Sequence, residues 1–184
     1  MNTLLKSYFG KMRGGKHCPP RAPIGEMIWS TIGGILGIGA VYIASNKLDL
    51  ALSDYIFLIG SFGASAVLLY GIPLSPFAQP RNVIGGHVFS AIVGVTFYTL
   101  LSGHIGLAAA LAVGFAIGAM HLTRTLHPPG GATALIAVVG SQHVHELSYW
   151  YVLAPVMVGA SLMVLVAVIV NNLASSRHFP EYWW

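Results

Sequence analysis

The chain has 184 residues, of which 55% are hydrophobic and only 8% charged, and its mean hydropathy is +0.74. A soluble domain carries about 25% charge, so this composition excludes a sizeable soluble domain and defines an integral membrane protein. The net charge is +4, and the length allows roughly five to seven crossings at about 20 residues each.

Residues 1–26 form a basic segment with Lys6, Lys11, Arg13, Lys16 and Arg21 ahead of the first apolar run. A nucleic-acid tail would have this charge. Lys and Arg beside spans, however, mark the cytoplasmic side, so the expected partner is the lipid bilayer and no nucleic acid. The segment lacks the apolar core of a cleavable signal peptide. Phe9 and Met12 with the basic residues suit a short surface helix. Cys18 is the single cysteine and cannot form an internal disulfide. A transmembrane domain over 27–173 and a short cytoplasmic tail over 174–184 complete the division.

The domain reads as six apolar segments, at about 27–45, 54–71, 83–101, 104–123, 131–147 and 149–173. The connectors carry turn chemistry: Asn46-Lys47-Leu48-Asp49, Ile72-Pro73-Leu74-Ser75-Pro76, Ser102-Gly103, a His-Pro-Pro loop and Ser141-Gln142-His143. With the N-terminus inside, the cytoplasmic side holds the five N-terminal cations plus Arg81, Arg124 and Arg177. The outside holds Lys47 with Asp49, Asp54 and Glu146. This alternation obeys the positive-inside rule, and Tyr149-Trp150-Tyr151 and Trp183-Trp184 suit aromatic belts. The expected location is the plasma (inner) membrane of a bacterium, with both termini cytoplasmic.

The most informative stretch is Thr125-Leu126-His127-Pro128-Pro129-Gly130-Gly131-Ala132-Thr133-Ala134-Leu135. Consecutive prolines and glycines cannot continue a helix. Inside a bilayer such backbone is tolerated only where it is buried in protein or lines a wet cavity. The apolar run after it, Ala132 to Gly140, makes only about 15 Å of helix against a hydrocarbon core of about 30 Å. Either the run continues through His143, Val144 and His145, or the loop dips into the membrane.

An internal echo supports a site at this break. Gly63-Ala64-Ser65-Ala66 and Gly131-Ala132-Thr133-Ala134 both precede aliphatic residues and a glycine. Breakers precede each: Gly60-Ser61-Phe62 in one case, Pro128-Pro129-Gly130 in the other. Each sits in the second of three segments, so the halves would be inverted, a transporter plan in which interrupted helices mark the site. Small residues also recur for helix packing, as in Gly33/Gly37 and Gly114/Gly118. If the repeat holds, two half-helix N-termini converge, each with unpaired N–H groups and partial positive charge. Ser65 and Thr133 add hydroxyls. That suits a small anion, recruited by Arg81, Arg124 and the net charge. No acidic residue lies in the apolar interior of any segment.

At these residues the chain resembles the HPP family of integral membrane proteins. The match runs through His127-Pro128-Pro129 and its flanks, Ser61-Phe62-Gly63-Ala64-Ser65-Ala66, and Ser75-Pro76-Phe77-Ala78-Gln79-Pro80-Arg81-Asn82-Val83-Ile84-Gly85-Gly86-His87. It covers about residues 22–173. The resemblance implies nitrite transport, because plant and cyanobacterial relatives are linked to nitrite movement, although many members have no assigned substrate. Some members carry an added regulatory domain, and none is expected in these 184 residues.

The candidate substrate-binding residues are therefore Ser61, Phe62, Gly63, Ala64, Ser65, His127, Pro128, Pro129, Gly130, Gly131, Ala132 and Thr133, with Arg81, Asn82, His87 and Arg124. His127 would bond an anion or carry its proton, near its ordinary pKa of about 6.5; the alternative is a helix C-cap. Pro128 and Pro129 set the break, and Gly130 and Gly131 allow backbone approach. Arg124, three residues from His121 and from His127, would share a vestibule face with them or snorkel to the interface. Asn82 is a candidate N-cap, Arg81 lines the inner mouth or meets lipid phosphate, and His87 either lines the site or packs in the bundle. His143, His145 and Glu146 suit a wet loop better than a metal site. Asn171 and Asn172 suit a helix end at the interface.

The sequence thus reads as an all-α polytopic membrane protein, with about six transmembrane or half-spanning helices in two inverted three-segment repeats with broken helices. It would transport a small inorganic anion, nitrite first, without metal or other cofactor. A passive anion channel is the nearer alternative and a non-catalytic scaffold the more distant one. Enzymatic chemistry lacks a core acid or base cluster. Gly-rich faces suit a homo-oligomer.

Overall fold

The computed structural model describes residues 3–13, 18, 20–47 and 59–184. Helix α1, Thr3–Gly10, and a 3-10 turn at Lys11–Arg13 precede the bundle. Helix α2 spans Ile24–Lys47, and α3, Gly60–Ala66, continues as a π-helical turn over Val67–Gly71. After a 3-10 turn at Pro76–Ala78 come α4, Pro80–Leu101, and α5, Ile105–Leu122. Helix α6 is Pro129–Val139 and α7 is Gln142–Leu147. A π-helical stretch at Val152–Met157 leads into α8, Val158–Leu173. Every regular element among the described residues is helical.

Four helical runs are long and apolar enough to cross a membrane: Ile24–Asn46, Pro80–Leu101, Ile105–Leu122 and Val152–Leu173. The other two segments are short. The expected run from 54 to 71 is helical from Gly60 onward, and residues 54–58 lie outside the described residues. The expected run from 131 to 147 splits. Helix α6 has 11 residues, about 16 Å at 1.5 Å per residue, and the chain turns extended at Gly140 before α7. The last segment also breaks where the sequence reading has it continuous: Ala154 is non-helical beside Pro155, which lacks the N–H a helix needs.

Glycine lets the helices close on one another. A Cβ at Gly33 would lie 2.7 Å from Cδ1 of Tyr70, and one at Gly37 would overlap the same ring, so α2 has a groove in which Tyr70 lies. Tyr70 then donates its hydroxyl to Met163 O at 3.0 Å. On α4, a Cβ at Gly94 would meet Ala134 O at 2.6 Å and Ala137 Cβ at 2.7 Å. Gly33 and Gly37 are thus internal packing positions, as expected. Gly114 and Gly118 have open space instead.

The helix ending at Gly71 leaves its last carbonyls without partners inside the helix, and those of Leu69 and Tyr70 belong to buried residues. Asn171 Nδ2 donates to Leu69 O at 3.0 Å, and Arg177 Nη1 donates to Tyr70 O at 3.0 Å. The same guanidinium bonds Glu26 Oε2, Asn171 Oδ1, Glu26 O and Ser30 Oγ, each at 2.9 Å. Asn171 is therefore a fully buried capping residue, which corrects its expected interfacial role. Arg177 joins the start of α2, the end of the 60–71 helix and the end of α8. Nearby, Tyr182 donates to Pro76 O at 3.1 Å and Arg81 Nη2 donates to Thr123 O at 2.9 Å. Arg81, Arg124 and Arg177 accordingly lie at one end of the bundle.

Candidate functional site

Helices α3, α4 and α6 bring five side chains into one buried polar centre. Ser61, Ser65, His87, His127 and Thr133 are all fully buried. Ser61 and Ser65 are one turn apart on α3, His87 is on α4, Thr133 is on α6, and His127 precedes the first turn of α6. Ser65 Oγ lies 2.7 Å from His87 Nε2 and 2.8 Å from His127 Nε2. His87 Nδ1 lies 2.7 Å from Thr133 Oγ1, and Thr133 donates to Ser61 Oγ at 2.8 Å. His127 Nδ1 is 2.7 Å from Phe77 O. A carbonyl oxygen only accepts, so that nitrogen carries hydrogen.

Two features follow from these pairings. Ser61 meets Thr133 while Ser65 meets His127, so α3 and the start of α6 run past each other in opposite directions. The imidazole of His87 also bridges Ser65 and Thr133, the corresponding residues of the Gly-Ala-(Ser/Thr)-Ala echo. No side chain caps the N-terminus of α3 or of α6. The rings of His87 and His127 meet at a centroid separation of 4.8 Å, and Phe62 lies edge-on to His87 at 5.3 Å.

Packing holds the centre shut. A Cβ at Gly86 would be 2.5 Å from His127 Cβ and 2.8 Å from Thr125 O, so only glycine lets α4 lie against the loop that presents His127. A Cβ at Gly130 would meet Ser90 Oγ at 2.7 Å and Met120 Sδ at 2.9 Å. Gly130 therefore seats α6 against its neighbours, and Gly131 has only Val113 within reach. Pro129 is buried at the first position of α6, and Pro128 is exposed. Gly63 and Ala64 face outward, and Ala132 is half-buried.

Three expected roles are corrected. Arg124 does not share a helix face with His121 and His127. Helix α5 ends at Leu122, and Arg124 has φ 57°. The bonds Thr125 N to Met120 O and Arg124 N to His121 O make a Schellman turn with Arg124 where glycine is usual. The turn leaves His121 and Arg124 exposed and His127 buried. His127 is likewise not a cap on its own helix, because its Nδ1 bonds Phe77 O across the fold. Asn82 is not the N-cap of α4: the helix starts at Pro80 after Gln79. Its side chain instead donates to Leu126 O at 2.9 Å and accepts from Tyr182 at 3.2 Å. Asn82 and Arg81 both fasten the His-Pro-Pro loop to α4.

Two contributors escape the sequence reading. Phe77 acts through its backbone carbonyl, which carries no side-chain signal. Tyr151, whose sequence neighbours suit an aromatic belt, is fully buried, and its hydroxyl donates to Thr133 O at 3.3 Å. Its neighbours Tyr149 and Trp150 are exposed. In the α7 region, His143 Nδ1 is 3.4 Å from Glu146 Oε2. His145 turns away, stacking on Tyr98 at 3.7 Å with Nε2 on Val138 O at 3.2 Å.

A helical membrane protein with a buried hydroxyl–imidazole centre between two short helices is the class these features define. The HPP transmembrane-region family matches residues 19–180, and the chain belongs to that family. Two transmembrane proteins of Dictyostelium discoideum are similar to it. One is 43% identical over 180 residues, covering 96% of this chain and 57% of the relative. The other is 41% identical over 182 residues, covering 96% and 63%. The chain thus spans less than two thirds of the length of either relative. No solved structure matches it.

Proposed function

We propose that this protein carries a small inorganic anion across the membrane, and that the centre formed by Ser61, Ser65, His87, His127 and Thr133 is where the anion is held. The observation that carries this reading is the bridge from Ser65 through His87 to Thr133. One imidazole joins equivalent positions of two short, oppositely running helices, the arrangement expected of an inverted-repeat transporter site. Hydroxyls and imidazoles are neutral or positive hydrogen-bond donors, and uncapped helix starts favour negative charge. Arg81, Arg124 and Arg177 at one end raise the local anion concentration. Nitrite leads as substrate through the family resemblance.

A carrier is favoured over an open channel, because the five side chains are fully buried and bonded to one another. An anion enters only if the helices part. The basic end suits the cytoplasmic face; on this reading both termini are inside, and a bacterial inner membrane is the expected location. The protein acts as a transporter and not an enzyme. The open faces at Gly106, Gly114 and Gly118 of α5 keep a homo-oligomer in the reading, since small residues let helices approach closely.

The test is nitrite entry into proteoliposomes. His127→Ala and His87→Ala each remove a hydrogen bond that becomes charge-assisted when an anion is present, about 1.5–3 kcal/mol. Saturable entry is expected for the wild type, with a loss of roughly ten- to a hundredfold in either variant. Wild-type liposomes indistinguishable from empty ones for nitrite, nitrate and formate would favour the scaffold reading.

A further inference from the structure

The two histidines at the centre are wired alike. His127 gives its Nδ1 hydrogen to Phe77 O at 2.7 Å. Thr133 gives its hydroxyl hydrogen to Ser61 Oγ at 2.8 Å, with Pro129 O at 3.5 Å as the other acceptor. Thr133 Oγ1 is therefore the acceptor in its 2.7 Å contact with His87, and His87 Nδ1 also carries hydrogen. Both rings thus use their Nδ1–H outward and turn Nε2 to one oxygen, Ser65 Oγ, at 2.7 and 2.8 Å. A neutral imidazole with hydrogen on Nδ1 has a bare acceptor at Nε2. Ser65 has one hydrogen for two bare nitrogens and for Ser61 O, which lies 3.1 Å from its Oγ, so at least one of the short imidazole contacts lacks a hydrogen. One added proton, with the Ser65 hydrogen turned to the other imidazole, completes both.

We propose that the Ser65-bridged His87–His127 pair is a single-proton site, and that this proton travels with the transported anion. The second half rests on the anion-transport reading above; the first half does not. With the proton on His87, Nε2–H donates to Ser65 Oγ while the Ser65 hydroxyl donates to His127 Nε2. Transfer moves the His87 proton onto the Ser65 oxygen as the original Ser65 hydrogen passes to His127 Nε2. His87 ends neutral, His127 ends as imidazolium, and Ser65 is again a hydroxyl. A second proton is opposed by like charge, since the ring centroids are 4.8 Å apart.

The groups facing the pair supply no countercharge. From α3 come Ser61, Ser65 and Phe62, and from α6 comes Thr133, whose carbonyl is held by Tyr151. Asn82 is engaged with Leu126 O, and the Arg81 guanidinium is on Thr123 O. Among the described residues no carboxylate is bonded to either ring. A buried charge without a partner costs several kcal/mol, and an anion at the centre removes that cost. Proton and anion accordingly bind together, and transport is electroneutral.

Two measurements on the full chain test this. In the first, His17, His104, His121, His143, His145 and His178 are replaced by Gln, leaving two rings for 15N NMR in detergent with sodium nitrite, from about pH 8 to about pH 5. The expected result is uptake of one proton per chain, shared so that both rings report a partial imidazolium; in Ser65→Ala the sharing is lost. Rings that both stay neutral throughout, or that each take a proton, overturn the site. If the six-fold variant does not fold, difference spectra of wild type against His87→Gln and His127→Gln give the same readout. In the second, nitrite uptake into proteoliposomes is measured under an imposed pH gradient and under an imposed potential, against protein-free liposomes. One proton per nitrite and no response to potential are expected. Uptake that ignores the pH gradient and carries current overturns the coupling and leaves anion transport standing. Normal titration with no uptake supports the proton site and overturns the anion reading.

Discussion

Gly86 shows how a single residue closes the polar centre. A methyl group there would press on the Cβ of His127 and on Thr125 O, both on a loop fastened by Asn82 and Arg81. The loop has little freedom to retreat, and overpacking of this kind costs about 1–3 kcal/mol. Gly86→Ala is expected to lower the thermal unfolding temperature in detergent, whereas Gly63→Ala, with nothing within 4 Å of the added methyl, leaves it nearly unchanged. Equal effects would mean that α4 does not depend on glycine for its approach. At this scale the sequence was partly legible. Ser65, His127 and Thr133 stand out because polar residues beside helix breakers are costly in a membrane unless they are used. Arg124, Gly63 and Ala64 look equally eligible by spacing alone, yet each faces outward. Their orientation depends on where helices end and on which side packs, which a local motif does not encode.

Among the elements, the two short helices raise the same physical problem and meet it differently. The helix ending at Gly71 has its carbonyls taken by Asn171 and Arg177, whereas α6 ends at an extended Gly140 whose N–H returns to Ile136 O. Asn171→Leu is expected to leave Leu69 O without a donor, at about 1–3 kcal/mol. The measurement is thermal unfolding in detergent, with Asn172→Leu as comparison. An Asn171→Leu protein as stable as the wild type would show that another donor, or water, reaches this carbonyl. The existence and type of the long helices were readable from apolar runs, since about 20 residues are needed to span. The division of the fifth segment into α6 and α7, and the break at Ala154, were not. Whether a glycine or proline interrupts a helix depends on whether neighbours can satisfy the freed groups.

For the whole molecule, α2 starts, the 60–71 helix ends, α4 starts and α8 ends at one face, joined there through Arg177 and Tyr182. Positive charge gathered at that face predicts its sidedness. Cys18 is the single cysteine and is exposed, so a membrane-impermeant maleimide is expected to label it in cells only after permeabilisation. A Cys18→Ser, His178→Cys protein should behave identically. Labelling of either site in intact cells would reverse the orientation.

The sequence by itself determined that the chain is a helical membrane protein and that the Gly-Ala-(Ser/Thr)-Ala and His-Pro-Pro breaks are its unusual places. Those conclusions rest on composition and local chemistry, which act over a few residues. Only the tertiary structure decided that His87 lies between Ser65 and Thr133, that Ser65 serves both imidazoles, and that Tyr151 and the Phe77 carbonyl belong to the same centre. Those bonds join residues from 18 to 62 positions apart. They form because buried donors and acceptors must find partners, and which partners are within reach is settled by how α3, α4 and α6 pack.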